Sequence, residues 1–269
     1  MTSKVANAVL TAAARFWFVV MWLGQWVFLY YIAAFYGSSV VQGHFQAWTR
    51  NSNLLKGYVA GDTAGNLAFA AHVLLAAVVA FGGTLQLVPQ LRRAPYAVIH
   101  RWNGRLFLAT AALASIAGLY MVWVRHTVTS LHGALAITID AMLILAFSSL
   151  TWRAARGRAF TVHRRWALRT YLVANGVWFQ RVGLLAWAIS ANAAGLPKST
   201  NGTFYNFWEF GSYLFPLAVL ELYLRVKDTA GPRARLATAG LLILLTLLMG
   251  LGIAGAWMFM WRPVLLRAS

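Results

Sequence analysis

No cysteine occurs among the 269 residues. Disulfides, iron–sulfur clusters, thiolate haem ligation and covalent haem attachment of the c type through this chain are therefore excluded. Charge is scarce as well: 10% of residues are charged, and five Asp and Glu face 23 Lys and Arg, for a formal net charge of +18. A soluble core of this size cannot hide a chain that is 61% hydrophobic. Apolar–polar alternation over strand-length windows is lacking too, which removes a membrane β-barrel. What the sequence has instead is long apolar runs, so the expected fold is all-α: a polytopic transmembrane helical bundle in a single integral membrane domain over 1–269.

A helix needs ~20 consecutive apolar residues to cross the hydrocarbon core. Runs of that kind, bounded by charged or turn-rich flanks, predict about seven spans near 14–37, 67–88, 106–124, 132–151, 166–190, 209–224 and 236–260. Short loops make spans two to five a four-helix core. The first run is too long for a cleaved signal and is read as a retained anchor. The stretch Ser38–Asn66, around VVQGHFQAW, and the loop ANAAGLPKSTNGTFYNF are the outer features that would form caps.

With a cytoplasmic N-terminus, sixteen of the 23 basic residues fall on inner segments: Lys4, Arg15, Arg92, Arg93, Arg101, Arg105, Arg153, Arg156, Arg158, Arg164, Arg165, Arg169, Arg225, Lys227, Arg233 and Arg235. Arg50, Lys56, Arg125, Arg181, Lys198, Arg262 and Arg267 fall outside or in the outer half. That is the positive-inside pattern. The basic charge thus reads as topology and contact with anionic headgroups of the bilayer, with no nucleic acid as partner, since no independent domain presents it. A multi-pass protein of the bacterial inner (plasma) membrane is expected.

Chemistry enters with the histidines. His72, His100, His132 and His163 follow one another at intervals of 28, 32 and 31 residues, one span plus one short loop each time. His72 and His132 are expected at the outer side, on the second and fourth spans. His100 and His163, in VIHRWNGR and TVHRRW, guard the inner ends of the third and fifth. Alternate helices run parallel, so each pair is a candidate bis-imidazole site for a haem b, one or two in all. Small residues suit a macrocycle: Gly82 and Gly83 follow His72, Gly104 follows His100, Gly133 follows His132, and Gly176 and Gly183 lie in the fifth span. Arg101, Arg105, Arg164 and Arg165 stand ready for inner propionates through charge-assisted bonds. Arg181, eighteen residues after His163, projects from the same face of a continuous helix about 27 Å away, toward an outer propionate or toward Glu209. His44 and His126 lie in outer loop or rim positions.

Residues 66–185 carry a family resemblance. NLAFAAHVLLAAVVAFGGTLQLVPQLRRAPYAVIHRWNGRLF followed by VHRRWALRTYLV resembles the uncharacterised bacterial membrane proteins grouped as DUF 2306, through His72, Gly82, Gln86, Arg92, His100, Arg101, Gly104, Arg105, His163, Arg164, Arg165, Arg169 and Tyr171. The resemblance implies a membrane fold and carries no activity with it. The histidine layout is separately similar to that of di-haem cytochrome b-561 type proteins, which implies transmembrane electron transfer.

The expected function is therefore a b-type haem electron carrier exchanging electrons with a quinone, a small reductant or a redox partner protein. Asp140, Gln86, Asn175, Gln180, Glu209 and Glu221 inside the apolar runs keep an alternative open. In it, the chain is a haem-free small transporter, or an accessory or assembly subunit of a larger membrane complex.

Overall fold

The computed structural model describes residues 3–51, without the Arg50 side chain, and 57–266; Lys56 and Arg267 lie outside the described residues. The described chain is all-α. Eight helices follow in order: α1 (Ser3–Val41), α2 (Thr63–Leu87), α3 (Ala97–Trp123), α4 (Leu131–Arg156), α5 (Phe160–Ala174), α6 (Gly176–Ala193), α7 (Ser199–Thr229) and α8 (Pro232–Leu266). One widened turn interrupts α1 at Ala33–Gly37 and another interrupts α8 at Trp257–Trp261.

Five of these, α1, α2, α3, α4 and α8, are long and apolar enough to cross a membrane, and the broken pair α5 and α6 makes a sixth. The expected span 166–190 is thus two helices. Asn175 ends α5, its Nδ2 donating to the Tyr171 carbonyl at 2.7 Å, and Gly176 opens α6. An amide that bonds its own backbone competes with helix continuation, and the following glycine offers little to restore it. The expected span 209–224 lies within α7, which has the length of a span but dilutes its apolar residues with Asn201, Asn206, Glu209 and Glu221.

The chain divides into two compact units: Met1–Gly24 with Val177–Ala256, and Gln25–Gly176 with Trp257–Ser269. In the first, Leu10, Ala13, Val226, Ala239 and Leu242 form a buried cluster. A Cβ on Gly252 would overlap the Val182 carbonyl, so glycine lets α6 and α8 approach backbone to backbone. The Trp208 ring lies against Gly183, and its Nε1 donates to the Phe179 carbonyl at 3.1 Å.

The second unit holds all four candidate histidines. Its helices pack in sequence order, and side-chain amides stitch α2 to α3: Asn103 Nδ2 donates to the Gly82 carbonyl at 2.8 Å and Gln86 Nε2 to the His100 carbonyl at 3.0 Å. Trp123 Nε1 reaches Thr138 Oγ1 at 2.9 Å between α3 and α4, and the Thr151 and Thr170 hydroxyls meet at 2.9 Å between α4 and α5. Such bonds are retained inside a membrane because lipid offers no substitute.

At the end where α2 begins, Arg125 acts as a clamp. Its Nε pairs with Asp62 Oδ2 at 2.8 Å, Nη2 donates to Asn66 Oδ1 at 2.8 Å and Nη1 to the Gly57 carbonyl at 3.2 Å. The other Asp62 oxygen caps α2 by accepting from Gly65 N at 2.9 Å. The expected outer cap is a short turn, Phe45–Arg50, whose buried Trp48 packs on Phe69 at 5.2 Å. Asn51 follows it and donates to the Tyr31 and Tyr36 hydroxyls at 3.0 and 2.8 Å.

Arg125→Met leaves the Asp62 carboxylate without its cation, and should cost about 2 kcal/mol of stability, part of a buried pair's worth because Asp62 is partly solvated. Asp62→Asn should cost less. Thermal unfolding in detergent, followed by circular dichroism, reads both. The absence of cysteine also makes sidedness measurable: a single cysteine at Arg158 should label only from the cytoplasmic face, and one at Ser130 only from the opposite face.

Candidate functional site

The His–Arg pairs come together at one end of the second unit, where α2 ends, α3 begins, α4 ends and α5 begins. His100 is three residues into α3 and His163 three residues into α5, which sets both at the mouth of the bundle. Their charges interact, and those of His100 with Arg92 and of Arg92 with Arg164 do as well. The Arg92 guanidinium, in the α2–α3 loop, is held below its usual pKa by burial and then by the Arg164 charge. Arg92 Nη2 donates to the Leu87 carbonyl at 3.1 Å, and the Asp and Glu residues of the unit are Asp62, which pairs with Arg125, and Asp140. The site is cationic and suited to an anion.

Ring-nitrogen chemistry narrows what the histidines do. His163 Nδ1 lies 3.1 Å from the Thr151 carbonyl. A carbonyl only accepts, so the proton sits on Nδ1 and the lone pair on Nε2, the tautomer of an Nε2 metal ligand with a backbone partner behind it. His100 Nδ1 is buried with no hydrogen-bond partner in the protein.

The other arginines lie differently. Arg101 and Arg105 are exposed, and the Arg105 guanidinium lies over the exposed Trp102 ring at 4.6 Å, as Arg169 lies over Trp166. Stacked arginines of this kind sit well at headgroup level. Of the arginines expected to serve propionates, Arg164 is the one tied to the histidine pair through Arg92. Arg92 entered the sequence reading only as charge and family motif, and Thr151 acts through its backbone, which no side-chain pattern reveals.

His72 and His132 are not brought to one depth. His72 is nine residues past the start of α2, His132 one residue past the start of α4. His72 lies deeper than the expected outer end: its Nδ1 is 2.9 Å from the Ala114 carbonyl, with the ring against Gly118. His132 is exposed.

Arg181 also departs from expectation. The break at Asn175 removes the continuous helix on which its alignment with His163 rested, and its Nη1 donates to the Val177 carbonyl at 2.9 Å. The glycines are occupied as well. A Cβ would meet Asn103 at Gly82, Phe107 and Tyr171 at Gly83, Gln86 at Gly104 and His72 at Gly118. They admit neighbouring side chains and so fix helix spacing. Among the described residues no group of three His, Asp or Glu forms a metal cluster.

Replacing Arg92 by Gln removes a like-charge interaction with Arg164. The variant should be as stable as the parent or slightly more so, while binding of anionic amphiphiles to the purified protein falls several-fold, as titration calorimetry with a short-chain phosphatidylglycerol measures.

Comparison with known proteins agrees with the sequence resemblance. The family model described as predicted membrane protein (DUF2306) matches residues 69–224, more than half of the chain and well past residue 185. No curated protein and no solved structure matches. Its helices contact the lipid bilayer, and the chain belongs to the DUF2306 family of predicted membrane proteins.

Proposed function

We propose that the chain is a b-type haem electron carrier of the bacterial inner membrane, with a haem held at the basic end between His100 and His163. What supports this is that two histidines, each three residues into one of two alternate helices at the basic end, interact electrostatically, one of them already in the ligating tautomer, with Arg92 and Arg164 at the same end. When bound, haem iron supplies one-electron chemistry. The chain's own part is to orient His163 through the Thr151 carbonyl, hold His100 at the head of α3, and meet the propionates with Arg92 and Arg164, with Arg101 and Arg105 at the rim. A position at the membrane boundary suits exchange with a quinone headgroup, a small reductant or a redox partner protein.

The filled glycines favour a second reading. With Gly82, Gly83, Gly104 and Gly118 closed by side chains, the bundle interior is already packed, as in a haem-free small transporter or an accessory subunit of a larger membrane complex.

A reduced-minus-oxidised visible spectrum with a haem-to-protein ratio separates the two. One haem per chain is expected, abolished by His100→Ala or His163→Ala. Arg92→Gln and Arg164→Gln should lower its midpoint potential, because a nearby cation favours the reduced, less positive iron. A flat spectrum from folded protein made with ample haem discards the electron-carrier reading.

A further inference from the structure

Among the described residues, eight buried side-chain polar atoms of the second unit have no hydrogen-bond partner: Gln25 Nε2 and Oε1, Trp48 Nε1, Trp261 Nε1, His100 Nδ1, Asp140 Oδ1, Ser148 Oγ and Tyr171 OH, of which the last four lie on α3, α4 and α5. Orphans at this density in one bundle call for water, since a buried polar group without a partner is costly. An aspartate within an apolar span is a functional candidate for the same reason.

Their placement has an order. Asp140, Ile144, Ser148 and Thr151 recur at helical spacing along α4 and so share one face, with Ile144, Ser148 and Thr151 all buried. Asp140 lies about 16 Å from Thr151 along the axis. At the basic end the Thr151 hydroxyl meets the buried Thr170 hydroxyl at 2.9 Å, and the Thr151 carbonyl meets His163. Polar groups thus run from the histidine pair into the bundle, with Ile144 as the apolar step before the carboxyl.

We infer that Asp140 is a proton-binding site inside the bundle, reached from the basic end by water that bridges Thr151, Ser148 and the carboxyl. The titratable groups that the neighbouring helices add include His72 from α2, His100 and Tyr120 from α3, and His163 and Tyr171 from α5; Arg125 is committed to Asp62 at the far end. Hydroxyls both donate and accept, so a row of them with intervening water passes a proton without any side chain having to ionise. This site stands independently of haem: it uses a different part of α4 and needs no redox chemistry.

Infrared spectroscopy of the full chain in phosphatidylcholine vesicles tests it. A protonated-carboxyl band is expected in the parent, absent in Asp140→Asn, displaced but present in Asp140→Glu, and shifting on transfer to deuterium oxide. Ser148→Val, which closes the route and keeps the carboxyl, should slow that shift at least tenfold. No band that Asp140→Asn and Asp140→Glu alter would overturn the site, as would a band that never shifts in deuterium oxide. Exchange at the parental rate in Ser148→Val would overturn the route. Circular dichroism of each variant confirms that it is folded.

Discussion

Two side-chain amides crossing from one helix to another set the positions of everything else in the second unit. Asn103 bonds the Gly82 carbonyl and Gln86 bonds the His100 carbonyl, at the end of α2 where the family motif is densest. In water such contacts are exchangeable, whereas in lipid the alternative is an unsatisfied amide. The α2–α3 register is therefore fixed to one residue. With it fixed, His100 stands at the mouth of the bundle and His72 lies against Ala114 and Gly118. The glycines belong to the same device, since each closes on the side chain that locks the helix beside it.

Much of this was legible in the sequence, for a physical reason. Lipid demands long apolar helices and biases where arginine sits, and both demands are written in composition. The helices and the basic end follow from them. The break at Asn175 was hidden because an Asn-Gly step inside an apolar run leaves hydropathy almost unchanged. His72 was misplaced in depth because α2 starts at Thr63, capped by an aspartate held by Arg125, a residue sixty-three positions away. No local pattern carries such a tie. Gly82, Gly83 and Gly104 were expected to admit a macrocycle, whereas Asn103, Phe107, Tyr171 and Gln86 lie against them, contacts that no local pattern carries.

The charge distribution links fold to chemistry. The second unit keeps its two acids away from the basic end, with Asp62 spent on Arg125 and Asp140 half-buried on α4 with its Oδ1 sealed from solvent. The cations gathered at that end lower the cost of bringing an anion to the histidines. From the same end, hydroxyls lead inward to Asp140. An entry for anions at the surface and a row of proton-passing groups behind it are arranged around the same pair of histidines.

The proposed site requires His100 and His163 to lie closer together than His72 and His132. Because the chain has no cysteine, paired nitroxide labels can be placed at His100 and His163, and in a second variant at His72 and His132, and their separations measured by dipolar electron spin resonance in vesicles. The basic-end pair is predicted to show the shorter distance and strong broadening, with the other pair clearly longer. A longer separation at the basic end than between positions 72 and 132 would contradict the helix register and, with it, the site.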